Sequence, residues 1–162
     1  IVNGDSVVET RLISLDAGSQ LNKTVVTYDN LKETTPVVAG IVLHDPESSA
    51  QYKVSAEKGY VTYADPTDNP NNNNGTIFVG AILPTAKDAK AVYFEEKEKN
   101  DLRGGADGHV LVIADYTPGS ELVYYWGAGW SKYGFDTIED WNAYIDEEAS
   151  LKSEPLTVSI IK

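Results

Sequence analysis

The sequence predicts an all-β protein: an antiparallel β-sandwich with one short C-terminal helix. Three observations carry that prediction. Ten short runs rich in β-branched, aliphatic and aromatic residues are separated by turn-scale polar segments. A single stretch, near the C-terminus, places apolar residues at helical spacing. Finally, 162 residues with 41% hydrophobic content suffice for one core and are too few for two ordinary ones. Residues 1–162 therefore read as one domain.

The elements follow in order. Ser6 to Leu15 and Lys23 to Tyr28 are strands joined by the turn cluster Asp16-Ala17-Gly18-Ser19, so they form a hairpin. Pro36 to His44 is a near-continuous apolar run, short enough for a strand buried on both faces. Gln51 to Val54 and Tyr60 to Tyr63 flank the turn signal Glu57-Lys58-Gly59. Thr76 to Leu83 is a second buried run, interrupted by Gly80. Ala89 to Glu95, His109 to Asp115 and Glu121 to Trp126 follow, the last two joined through Thr117-Pro118-Gly119-Ser120. Thr137 is an N-cap with Glu139 and Asp140 in the first turn, where the helix dipole favours negative charge. Ile138, Trp141, Tyr144, Ile145 and Ala149 form one stripe, and Trp141 reads as the anchor of this helix on a sheet. Leu156 to Ile161 is a final strand beyond Pro155. Two polar segments, Asp65 to Asn74 and Glu95 to Asp107, read as surface loops.

Charge and composition exclude several function classes. With 25 acidic and 13 basic side chains the net charge is -12. That field repels phosphate backbones and anionic bilayers, so neither nucleic acid nor membrane is expected as a partner. The chain has no Cys and two His, which removes thiol chemistry and multi-histidine metal sites. No cofactor and no metal are expected. Asp65 and Asp68 beside four asparagines offer oxygen ligands for Ca²⁺, but their spacing matches no EF-hand loop and they equally make a solvated loop.

The densest aromatic stretch is Tyr124-Tyr125-Trp126-Gly127-Ala128-Gly129-Trp130. On a strand, Tyr124 and Trp126 share one face. The two glycines predict a bend or bulge that breaks pairing and re-aims Trp130. Flat rings beside a sheet suit the C–H faces of sugars, and such rings equally fill the core between sheets. His44 closes a strand and is an acid/base candidate or a hydrogen-bonded structural His, and His109, opening a later strand, carries the same two readings. No nucleophile elbow, phosphate loop or metalloprotease helix is present.

The stretch from Glu121 to Ile161, with its Tyr-Tyr-x-Gly-x-Gly-Trp-Ser-Lys core, Trp-centred helix and Pro-Leu before a closing strand, resembles a bacterial family of unknown function. "GIVLH" at Gly40 to His44, "GYVTYADP" at Gly59 to Pro66 and "GTIFVGAIL" at Gly75 to Leu83 resemble it too. That family occurs among secreted proteins of polysaccharide-degradation gene clusters and is similar to the galactose-mutarotase-like supersandwich. The resemblance implies part of a supersandwich, a secreted or periplasmic location and a link to plant or algal polysaccharides. It brings no established catalytic set. Members of that family are longer, so the chain, which starts at Ile1 without Met, is expected to be their C-terminal part. A preceding segment or a second copy would then cover exposed sheet surface.

Three functions compete at this point. In the first, the chain is a piece of a polysaccharide-processing lyase, hydrolase or epimerase-like enzyme. There His44 is the acid/base, Lys132 a charge-stabilising donor, and Tyr124, Trp126 and Trp130 the sugar platform. In the second it is a non-catalytic carbohydrate-binding module for an oligosaccharide or polysaccharide. In the third it is a structural sandwich without a ligand.

Overall fold

A computed structural model describes residues 1–44, 51–66, 72–95, 106–154, 156 and 159. Among these residues there are nine strands and one helix. They are β1 (Val8–Leu15), β2 (Leu21–Asp29), β3 (Thr35–Leu43), β4 (Tyr52–Ser55), β5 (Tyr60–Pro66), β6 (Thr76–Ile82), β7 (Asp88–Tyr93), β8 (Gly108–Tyr116), β9 (Leu122–Trp130) and α1 (Ile138–Ser153). A six-stranded sheet runs β1-β2-β9-β6-β5-β4 and a three-stranded sheet runs β3-β8-β7. Every pairing is antiparallel. The predicted antiparallel sandwich with one C-terminal helix is the observed architecture. The strand expected over 156–161 lies outside the described residues except for Leu156 and Ser159, as do 67–71 and 96–105 of the two polar loops.

The period-2 alternation of strands sorts side chains between two cores. One core lies between the sheets and contains Val26, Val61, Tyr63, Ala81, Val110 and Val112. The other lies between the outer face of the large sheet and α1, and contains Leu21, Tyr60, Phe78, Ile82, Trp141 and Ile145. The central strands β5 and β6 are buried on both faces because each face has its own cover. The expectation that β3 is buried on both faces is overturned. Its residues alternate, with Val37, Ala39 and Ile41 turned inward and Val38 58% exposed, because nothing among the described residues covers the outside of the small sheet.

The helix begins as its sequence dictates. The Thr137 hydroxyl accepts from the Asp140 amide, and the Asp140 carboxylate accepts from the Thr137 amide, a reciprocal capping box. Trp141 is fully buried and its Nε1 donates to the Val79 carbonyl at 3.1 Å. Gly80 and Gly129 let the helix close on the sheet: a Cβ at Gly80 would lie 2.8 Å from Ile145 Cδ1, and one at Gly129 would lie 2.7 Å from the Phe135 ring.

Asp146 ties the helix to the sheet at its edge. Its carboxylate accepts from Lys58 and, at 2.8 Å, from the Tyr60 hydroxyl, with Lys53 Nζ 3.8 Å away. The Lys58 hydrogen bond, then that of Tyr60, holds the Asp146 carboxyl below the usual carboxylate range. Burial, then the hydrogen bond to Asp146, pushes the Tyr60 phenol up. A carboxyl depressed in the folded state contributes stability above its unfolded value of about 4, and that contribution is lost as pH falls through the folded value. Thermal melts from about pH 4 down to about pH 2 are therefore expected to fall more steeply for the native chain than for Asp146→Asn. Parallel slopes would remove Asp146 from the acid response.

Among the described residues the sandwich is closed along one side and open along the other. At β4 and β7 the sheets meet, and the Tyr93 hydroxyl donates to that of Tyr52 at 3.0 Å. On the opposite side β3 packs over β5 and β6, so β9, β2 and β1 extend past it. At one end the crossover is sealed by Tyr28 and Tyr116, edge to face with centroids 4.8 Å apart.

Candidate functional site on the open inner face

The strand registers define what the open side displays. Trp130 faces Ile77, which faces Asp65; Trp126 faces Asn22 and Ala81; Tyr124 faces Thr24. Residues paired across strands share a face, so Tyr124, Trp126, Ala128 and Trp130 all point toward the small sheet. Where β9 extends beyond β3, no described residue covers this row: Trp126 is 41% and Trp130 42% exposed, and Ala128 is exposed between them. Tyr124 differs. It is half-buried and packs against the inter-sheet core, so of the three predicted platform residues it lies deepest.

The expected bend at Gly127 to Gly129 is not formed. β9 runs unbroken to Trp130, and Gly127, Ala128 and Gly129 pair in register with Gly80, Val79 and Phe78. The glycines answer a different need. A Cβ at Gly127 would overlap the Gln20 carbonyl oxygen, and one at Gly129 would press on Phe135 and Trp141. They admit close neighbours on the outer face, and the regular strand then holds Trp126 and Trp130 on the inner face. Four residues of strand separate the two indoles by about 13 Å.

Both indole nitrogens are engaged within the protein. Trp126 Nε1 donates to Thr24 Oγ1 at 2.9 Å, and Trp130 Nε1 donates to the Asn74 carbonyl at 2.8 Å. What each ring leaves to solvent is carbon. Lys132 is exposed and shares an open depression of about 500 Å³ with Gln20, Ile77, Ala128, Trp130 and Tyr133.

His44 directly follows β3 at the same end of the sandwich. Its Nδ1 lies 3.2 Å from Asp65 Oδ2. Asp65 belongs to the row Asp65–Ile77–Trp130, so the His–Asp pair stands two strand spacings, about 10 Å, from the Trp130 backbone. A carboxylate on one imidazole nitrogen fixes the ring and leaves Nε2 for proton transfer. His44, Trp130 and Lys132 thus gather at one end, and Trp126 and Tyr124 continue the row away from it. Asp65 as the partner of His44 has no sequence signal, since 21 residues separate them and only the packing of the small sheet over the large one joins them. Asp68, considered with Asp65 for Ca²⁺, lies outside the described residues. His109, the second histidine, meets Phe94 edge to face on β8, away from this row.

A second concavity of about 360 Å³ opens between the sheets, lined by Val26, Leu83 and Leu122 on one side and Val37 and Ala39 on the other. Arg11 stands at its mouth and bonds Glu9 at 2.5 Å. That bond holds the Glu9 carboxyl below its usual value. Burial, then the neighbouring Glu9, pushes the Tyr28 phenol up to about 12.

Fold and face together define a β-sandwich with a row of half-exposed aromatic rings on one sheet. The family of domains of unknown function designated DUF4861 matches residues 1–158, and the chain belongs to that family. No curated protein and no solved structure matches it.

Proposed function

We propose that this domain binds an oligosaccharide or polysaccharide along the inner face of β9, as part of a secreted or periplasmic protein that processes plant or algal glycans. The observation that carries the reading is the pair Trp126 and Trp130: same face, half exposed, and each nitrogen bonded inward. Carbon ring surface fixed beside a polar rim of Asn22, Gln20 and Lys132 suits sugars, whose rings have C–H faces and hydroxyl edges. A galactose-mutarotase-like supersandwich relationship and a place in polysaccharide-degradation gene clusters belong to the same proposal. They rest on the sequence resemblance.

A catalytic version has one specific support, the His44–Asp65 pair near Trp130. In it His44 exchanges a proton with the sugar, Asp65 orients it, and Lys132 stabilises negative charge. The module version needs only the rings.

Titration with a panel of neutral and acidic oligosaccharides, read by Trp fluorescence and NMR, tests both. Trp126→Ala and Trp130→Ala are each expected to weaken binding about tenfold. If no glycan shifts either indole signal, the reading fails. Turnover lost in His44→Ala with binding kept identifies the enzyme; binding without turnover in either form identifies the module.

A further inference from the structure

We propose that β1 pairs edge to edge with β1 of a second copy, antiparallel about a two-fold axis at Thr10. This inference is independent of glycan binding and rests on the pattern of one strand.

β1 is the last strand of the large sheet, and among the described residues no strand pairs with its outer edge. All eight of its residues are exposed. Leu12 is 69% exposed on the outer face, and Ile13 and Leu15 are 53% and 60% exposed on the inner face. Residues 1–5 do not shield this edge: Val2 and Asp5 close a turn, and Lys32 holds Asp5 at 2.6 Å beside the β2–β3 connection. A long, apolar, unpaired edge is a template for another strand.

The sequence says which strand. Ser6-Val7-Val8-Glu9-Thr10-Arg11-Leu12-Ile13-Ser14 is complementary to its own reversal. With the axis at Thr10, Glu9 meets Arg11 of the other copy and Arg11 meets Glu9. Val8 meets Leu12, Val7 meets Ile13, Ser6 meets Ser14, and Thr10 meets Thr10. From Ser6 to Ser14, opposite charges, apolar pairs and hydroxyl pairs face one another, with Ser6 and Val7 extending β1 on pairing and Leu15 beyond the paired segment, and these are the cross-strand combinations that stabilise sheets. Neighbouring registers fail. An axis at Arg11 or at Glu9 opposes like charges, and an axis at Leu12 sets Arg11 against Ile13 and Glu9 against Leu15.

The geometry closes. The axis is perpendicular to the sheet, so paired residues keep the same face and the contact is isologous. The six-stranded sheets join into one, with both small sheets on the same side. Two copies of charge -12 repel at long range, so pairing is sought near physiological salt, where the screening length is about 8 Å.

Sedimentation equilibrium of the 162-residue chain from about 1 µM to about 1 mM tests this. A monomer–dimer equilibrium is expected. Glu9→Arg alone or Arg11→Glu alone opposes like charges twice across the axis and should weaken the dimer about thirtyfold. Mixing the two single variants should give a heterodimer at least as tight as the native pair, and the double swap should restore the homodimer. Both positions are solvent-exposed, and circular dichroism melts confirm folding of each variant. A chain monomeric throughout, a dimer indifferent to the single swaps, or a mixture no tighter than its components would each overturn the proposal.

Discussion

Trp141→Ala is expected to lower stability by about 3–5 kcal/mol, the range for removing a large buried aromatic. The indole is fully buried, meets Phe135 edge to face at 4.9 Å and lies against the bare backbone of Gly129. The adjoining sheet positions Gly80 and Gly129 carry no side chain that could fill the space. The Val79 carbonyl also loses the donor it had at 3.1 Å. The helix buries three residues, Trp141, Ile145 and Ala149, so losing the largest removes most of what docks it. Urea titration followed by far-ultraviolet circular dichroism measures the loss. Trp141→Phe, which keeps a ring in the site, should fall between. A loss below about 1.5 kcal/mol would mean that α1 is held elsewhere, through Asp146 and its lysines.

Gly127→Ala is expected to cost about 2–3 kcal/mol, although it adds one methyl to a strand. Its Cβ would overlap the Gln20 carbonyl oxygen, a backbone atom that cannot rotate away. Relief requires the β1–β2 turn or β9 itself to move, and Gly127 lies in register with Leu21 on one side and Gly80 on the other. The neighbouring Trp126 moves with it, so under the proposed function weaker glycan binding is expected to accompany the stability loss. Gly119→Ala is the contrast. That glycine has a left-handed φ of 81° and open space around it, so only the conformational cost applies, about 1 kcal/mol. Equal losses at the two positions would show that crowding at Gln20 is relieved cheaply.

These two glycines also show where sequence reading succeeds and where it stops. The strands were legible because alternation and turn chemistry are local properties, and the helix because Thr137, Asp140 and the Trp141 stripe lie within a few turns. Glycine in a strand has two physical meanings, a bulge or a close neighbour. At Gly127 and Gly129 the choice is made by Gln20 and by Phe135 with Trp141, none of which the local pattern reveals. For the same reason the apolar run of β3 concealed its exposed face: Val38 and Val42 are as hydrophobic as Val37 and Ile41. At the candidate site, parity placed Tyr124 and Trp126 on one face, and the unbroken strand adds Trp130 to it. How far each ring is covered depends on where β3 ends its reach over the large sheet, and the pairing of His44 with Asp65 depends on how the two sheets pack on each other.

The inward bonds of the two indole nitrogens have a thermodynamic consequence. Long aromatic side chains on an open surface ordinarily surrender rotamer freedom when a ligand arrives, at about 0.5–1.5 kcal/mol each. Trp126 and Trp130 surrender it during folding, to Thr24 and to the Asn74 carbonyl. For the proposed glycan, association on this face is then expected to be governed by shedding water from carbon, with little ordering left to oppose it.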